Sequence, residues 1–128
     1  MDKETERQEN FIISLSGAFS IIRVTKKTIR GLGLPQFLKL LVNETYDELV
    51  ITPCQAKEPM SFKVPERFNG KNVQMRIVSK AFVEDVLTRN GYDLVTTHRF
   101  LGKYLNGQKN AIVFSLKKEA ISEEEDPE

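Results

Sequence analysis

Residues 21–34 read IIRVTKKTIRGLGL, and the hydrophobic period changes inside this stretch. Residues 19–24 are rich in β-branched and aromatic side chains, which suit a half-buried pleated surface and predict a strand. At Thr25 the pattern turns. Its hydroxyl can accept one of the amides that a helix start leaves without a partner. Ile29 and Leu32 then stand three apart, on one face of a short helix over 26–32. Gly31 and Gly33 stop that helix, and Pro35 cannot continue it.

On either side the chain reads as strands and turns. Residues 11–16 predict a strand that Gly17 interrupts. Residues 37–42 and 48–52 are two β-prone runs around the turn-like Asn43-Glu44-Thr45-Tyr46-Asp47, a hairpin closed by Pro53. Residues 55–72, with Pro59, Pro65 and Gly70, read as a connector laid over the body, with Phe62-Lys63-Val64 as a short edge strand. Residues 73–78 alternate apolar and polar, as a strand does. Ser79 is a good N-cap for a helix over 80–90, whose Phe82, Val83, Val86 and Leu87 form an amphipathic stripe. Asn90-Gly91 is its left-handed stop. Residues 97–105 and 110–116 form two strands joined by Asn106-Gly107, a strong hairpin signal. Gly102 inside the first of them marks a bulge or a close backbone approach.

Strand, short helix closed by glycine, then hairpin therefore occurs twice, over 19–54 and 73–116. Ile22-Arg23-Val24-Thr25-Lys26 is echoed by Met75-Arg76-Ile77-Val78-Ser79-Lys80. The fold expected is α+β and strand-rich with two short helices, one domain over 11–118. A duplicated β-α-β-β unit closing into a compact barrel gives this order, and so does chance recurrence of a common arrangement.

The chain of 128 residues, 40% apolar, can bury a core without staples. Cys54 is the one cysteine, so no internal disulfide forms. Residues 1–10 are charged and carry no apolar run of a leader, and no stretch of about 18 apolar residues exists to span a membrane. A cytoplasmic protein is expected, without membrane partners.

The net charge of +1 conceals a segregation. Residues 1–10 carry −2 and residues 119–128 carry −6, while residues 11–118 hold 17 basic and 8 acidic side chains, a charge of +9. Blocks of like charge repel themselves, so both acidic ends are expected to be disordered tails. They serve solubility, or the second competes with an anionic partner for the basic body.

No catalytic residue, cofactor or metal site is expected. His98 is the sole histidine and sits in a strand pattern. Cys54 follows Pro53 at a strand end without an adjacent base. Gly31-Leu32-Gly33 lacks the third glycine and the strand-first context of a phosphate loop. The candidate site is instead basic. Arg23, Lys26, Lys27 and Arg30 crowd the first strand and helix. Lys71, Arg76 and Lys80 occupy the equivalent place in the second half, and Arg99 and Lys103 add charge on the second hairpin. Clustered Lys and Arg suit a polyanion, because each phosphate contact releases counterions; scattered over a solvated surface, the same residues would bind nothing in particular. Phe100 and Tyr104 can stack a base or pack in the core.

The run from Arg23 through Leu34, with the hairpin over 37–53, resembles the AbrB/MazE-type swapped-hairpin family. That family has a strand, a short helix ending in a leucine-glycine pair and two further strands. Two such modules interlock into one barrel that binds DNA, and an MraZ-like branch carries both modules in one chain. The resemblance implies a DNA-binding barrel that can assemble as a homo-oligomer. The alternative is an interaction or inhibitor protein of phage or mobile-element type, which meets a protein partner or a small anionic ligand with the same basic surface.

Overall fold

The computed structural model describes residues 11–66 and 74–120. The chain runs β1 (Phe11–Ser16), β2 (Ile21–Thr25), α1 (Lys26–Gly31), β3 (Phe37–Val42), β4 (Glu48–Pro53), β5 (Ser61–Lys63), β6 (Gln74–Val78), α2 (Lys80–Arg89), β7 (Thr97–Leu105) and β8 (Gln108–Ser115). Among the described residues no helix is long and apolar enough to cross a membrane.

The strands form one antiparallel sheet in the order β5-β3-β4-β8-β7-β1-β2-β6, curled into a nearly closed barrel. The order shows how the halves are built. Each contains the same five elements, β1-β2-α1-β3-β4 and β5-β6-α2-β7-β8. The repeated unit is thus one strand longer than the β-α-β-β order legible in the sequence; the added strand is β5, the edge strand expected around Phe62-Lys63-Val64, which here spans Ser61–Lys63. The β7–β8 hairpin lies between β4 and β1, both from the first half, and β3 and β4 are flanked by β5 and β8 of the second. The hairpins are exchanged between halves.

Two antiparallel pairings join equivalent strands. Arg23 faces Arg76 at the middle of β2·β6, and Val50 faces Val113 within β4·β8. Antiparallel pairing of like with like is what a two-fold relation between halves requires. On that relation β5 stands to β6 as β1 stands to β2. No β5–β6 pairing occurs among the described residues, so both remain sheet edges.

The core follows from alternation. Phe11, Ile13 and Leu15 of β1 meet Ile22 and Val24 of β2, Met75 and Ile77 of β6 and Phe100 of β7 on the inner face, all at most 3% exposed. Leu38, Leu40, Leu49, Ile51, Ile112 and Phe114 complete it from the other strands. Val83, Val86 and Leu87 of α2 are fully buried, as the stripe predicts. Phe100 belongs wholly to this core, and Tyr104 is half-buried with its hydroxyl donating to the Gly31 carbonyl at 2.9 Å. Phe100 presents no ring for stacking.

The helix ends follow the expected caps and stops except at Ser79. The Thr25 hydroxyl accepts the Thr28 amide at 3.3 Å, and the buried Thr28 hydroxyl accepts the Ile12 amide at 3.2 Å, which ties α1 to β1. Gly31 is the last residue of α1, with Leu32 as its C-cap, and Gly33 (φ 84°) and Leu34 (φ 53°) take the left-handed backbone just beyond it. Ser79 makes no side-chain cap bond, and its carbonyl serves the Val83 amide instead. Asn90-Gly91 ends α2 as expected, with Asn90 as the C-cap and Gly91 (φ 78°) taking the left-handed backbone. Asn90 turns to the neighbouring hairpin, donating to the Tyr46 carbonyl at 3.0 Å, while the Arg89 guanidinium lies 4.5 Å above the Tyr46 ring. The strand expected over 19–24 begins only at Ile21, leaving Phe19 exposed in the turn.

Asn106 (φ 53°) and Gly107 (φ 76°) form the tight turn their sequence predicts. Gly102 is a close approach: a Cβ there would sit 2.6 Å from the Phe114 ring, with the pairing irregularity falling later, between Tyr104 and Leu105. Gly102→Ala is therefore expected to destabilise the fold by about 1–3 kcal/mol through overpacking. Chemical denaturation of the variant checks this; unchanged stability would mean that Phe114 is free to move aside.

Candidate functional site

β-sheet alternation sends Ile22 and Val24 inward and Arg23 outward. The same rule turns Arg76 outward on β6 and Arg99 outward on β7. Registration decides what becomes of them. Arg76 faces Arg23, Arg23 faces Ser14, and Ser14 faces Arg99. The outer face of β6-β2-β1-β7 thus carries one transverse row: Arg76, Arg23, Ser14, Arg99. Neighbouring strands lie about 4.8 Å apart, so three guanidinium groups share a band three strand spacings wide.

Beside this row lies a shallow groove of about 390 Å³ lined by Ile12, Ser14, Arg23, Thr25, Gln74, Thr97 and Arg99. Ser14 forms its floor and is only 8% exposed, because long side chains stand on both sides of a short one. Among the described residues no acid makes an ion pair with Arg23 or Arg76. Three acidic side chains are engaged elsewhere: Glu58 with Lys39 at 2.6 Å, Asp85 with Arg89 at 2.9 Å, Asp47 with Lys117 at 3.3 Å.

The other expected site residues do not all join the row. Lys26 and Arg30, four apart on α1, line a separate cavity with Lys63. Lys27 is exposed on the same helix, and Lys80 is exposed at the start of α2. Lys103 points outward from β7 beside Glu48 and Ser115. Lys71 lies outside the described residues, as do residues 1–10 and 121–128. The boundary drawn at residue 118 falls short of the folded chain. Glu119 Oε2 lies 2.8 Å from His98 Nδ1, and the Ala120 amide donates to the Arg99 carbonyl at 2.7 Å. Nothing in the charge pattern sets Glu119 apart from the acids that follow it. Only the position of His98 across from it does so.

His98 is 4% exposed. Its Nε2 lies 2.9 Å from the Asp93 carbonyl oxygen, and the Tyr92 ring packs at 5.0 Å. Both ring nitrogens are engaged, one by Glu119 and one by the 91–96 loop, so the imidazole acts as a tie between them. Cys54 is half-buried, and burial pushes its thiol up, with Glu58 adding to the effect against Lys39. That is the opposite of an activated nucleophile.

No family model matches the chain, and no curated protein or solved structure matches it either.

The loop beside His98 has its own acid-sensitive element. Asp93 accepts the Thr96 amide at 2.7 Å and the Val95 amide at 2.8 Å, bonds that hold its carboxyl down at about 2. A carboxyl lower in the folded than in the unfolded chain contributes stability above its unfolded pKa of about 4 and loses it as pH falls toward 2. Asp93→Asn is expected to flatten this acid limb. Thermal melts of both proteins between about pH 2 and pH 5 check it; parallel curves would show that Asp93 contributes nothing there.

Proposed function

We propose that the protein binds nucleic acid, DNA in the first instance, through the arginine row of β6, β2, β1 and β7, and that it does so without catalysing a reaction. The observation that carries this reading is the direct opposition of Arg23 and Arg76. Like charges placed opposite each other across strands cost roughly 0.2–1 kcal/mol. A sheet that keeps such a pair without a described acid beside it breaks a local rule, and functional sites are where such rules are broken. A chain of phosphates relieves the repulsion. Guanidinium groups fork onto phosphate oxygens with two parallel bonds, and a small floor residue such as Ser14 lets a backbone approach. The exchanged hairpins add support from another side, since interlocked modules are what the resemblance to the swapped-hairpin family implies. The same reading assigns the protein to the cytoplasm.

A second reading rests on a different observation. Phe19 (69% exposed), Val78 (73%) and Val95 (76%) are large apolar side chains at one end of the sheet. They are neighbours: Val78 pairs with Ile21 just after the turn that carries Phe19, and Gly17 of that turn packs on the Leu94 backbone. Apolar surface gathered in this way suits a protein partner, which is the interaction or inhibitor protein of phage or mobile-element type, or a second copy of this chain. Sedimentation of the wild type against Phe19→Ser/Val95→Ser separates the last case: loss of a dimer in the variant supports it, and a wild-type monomer at all concentrations removes it.

For the arginine row, Arg23→Gln/Arg76→Gln is expected to lower affinity for a mixed-sequence duplex by about tenfold or more at low ionic strength. Arg76→Gln alone is expected to melt no lower than the wild type, because it removes a like-charge opposition. Fluorescence anisotropy and thermal melts measure the two effects. Equal affinities in wild type and double variant would overturn the reading.

A further inference from the structure

Lys26 and Arg30 stand apart from the arginine row and line the cavity that lies against α1. Its volume is about 520 Å³, and its lining runs from Lys26 and Arg30 through Leu34, Pro35, Gln36 and Phe37 to Lys63, Val64, Pro65 and Glu66. The two walls are bonded to each other. The Val64 amide donates to the Gln36 carbonyl at 2.9 Å, and Phe37 pairs with Lys63 across β3·β5. One wall is therefore the helix with the loop after it, and the other is the end of β5.

The cavity divides by chemistry. On the helix side Lys26 and Arg30, at i and i+4, project from one face about 5–6 Å apart at their Cβ atoms. Among the described residues neither takes part in an ion pair. Lys63 adds a third cation, with Glu66 loosely beside it at 3.8 Å. Three cations thus face one acid. The remaining wall is apolar and flat-sided: Pro35, Phe37 and Pro65 are half-buried, and Val64 is 5% exposed beneath them. Leu34 closes the rim. It holds a left-handed backbone (φ 53°) with its side chain 57% exposed. A leucine in that conformation is strained, and strained backbone of this kind collects at ligand clamps.

From this division we infer that the cavity binds a small phosphorylated ligand with a flat ring, the class of a nucleoside monophosphate. The phosphate sits between Lys26 and Arg30, where the guanidinium offers a forked pair of donors. The ring lies against Phe37 between the two prolines, with Leu34 over it. The volume falls in the range of roughly 300–1,000 Å³ typical of small-molecule sites. This site is separate from the arginine row, and the inference does not depend on nucleic-acid binding.

The test uses the full chain and three probes by titration calorimetry: AMP, adenosine and ribose 5-phosphate. AMP is expected to bind, and adenosine and ribose 5-phosphate to bind at least about tenfold more weakly, because each lacks one half of the match. Lys26→Gln/Arg30→Gln is expected to lose AMP binding while melting like the wild type, since both side chains project into solvent-accessible space. Arg23→Gln/Arg76→Gln is expected to keep AMP binding in full. Absence of AMP binding at millimolar concentration, or AMP binding unchanged in Lys26→Gln/Arg30→Gln, overturns the assignment. AMP binding lost only in Arg23→Gln/Arg76→Gln overturns it too, by moving the ligand to the other face.

Discussion

The rest of the structure depends on the exchange of hairpins between the two halves. A hairpin over residues 37–53 or 97–115 is marginal by itself, because two strands bury too little apolar surface. Here β7–β8 gains partners on both sides from the first half, β1 and β4, and β4 gains β8 in return. Each half therefore supplies hydrogen bonds and core contacts that the other lacks. Leu49 and Ile51 meet Phe114 and Ile112 across β4·β8, and all four are fully buried. Most of these contacts are distant in sequence, so loop closure must precede their reward.

The same exchange places the charged face. Arg23 and Arg99 belong to different halves, as do Arg23 and Arg76. They become neighbours only because β2 pairs with β6 and β1 pairs with β7. The opposition of Arg23 and Arg76 follows directly from antiparallel pairing of two equivalent strands that each carry an outward arginine. Whatever residue stands at that position in one half meets its counterpart in the other. Two arginines there double a positive charge that one half alone presents singly.

Much of this architecture was legible before any coordinates. The period change at Thr25, the amphipathic stripe of 82–87 and the Asn106-Gly107 turn each rest on local chemistry, and local chemistry is written in consecutive residues. What could not be read is of one kind. That the edge strand expected around Phe62 and Lys63 takes β3 as its partner is decided by topology. That Glu119 closes onto the fold is decided by His98, 21 residues earlier. Outward arginines were visible on three strands, but which strands adjoin is a property of topology. Lys26 and Arg30 looked like members of the same cluster because they are close in sequence. The turn at the start of α1 carries them to a different wall.

Counterion release offers the most direct measure of whether the arginine row engages phosphates. For a duplex, log K falls against log salt with a slope of about −0.9 per phosphate neutralised. Binding of a duplex measured from about 50 to 200 mM salt should give a slope of about −3 for the wild type, and that slope should shrink by about 2 when Arg23 and Arg76 are both glutamine. A flat salt dependence in the wild type, or the same slope in both proteins, would contradict a phosphate-binding row.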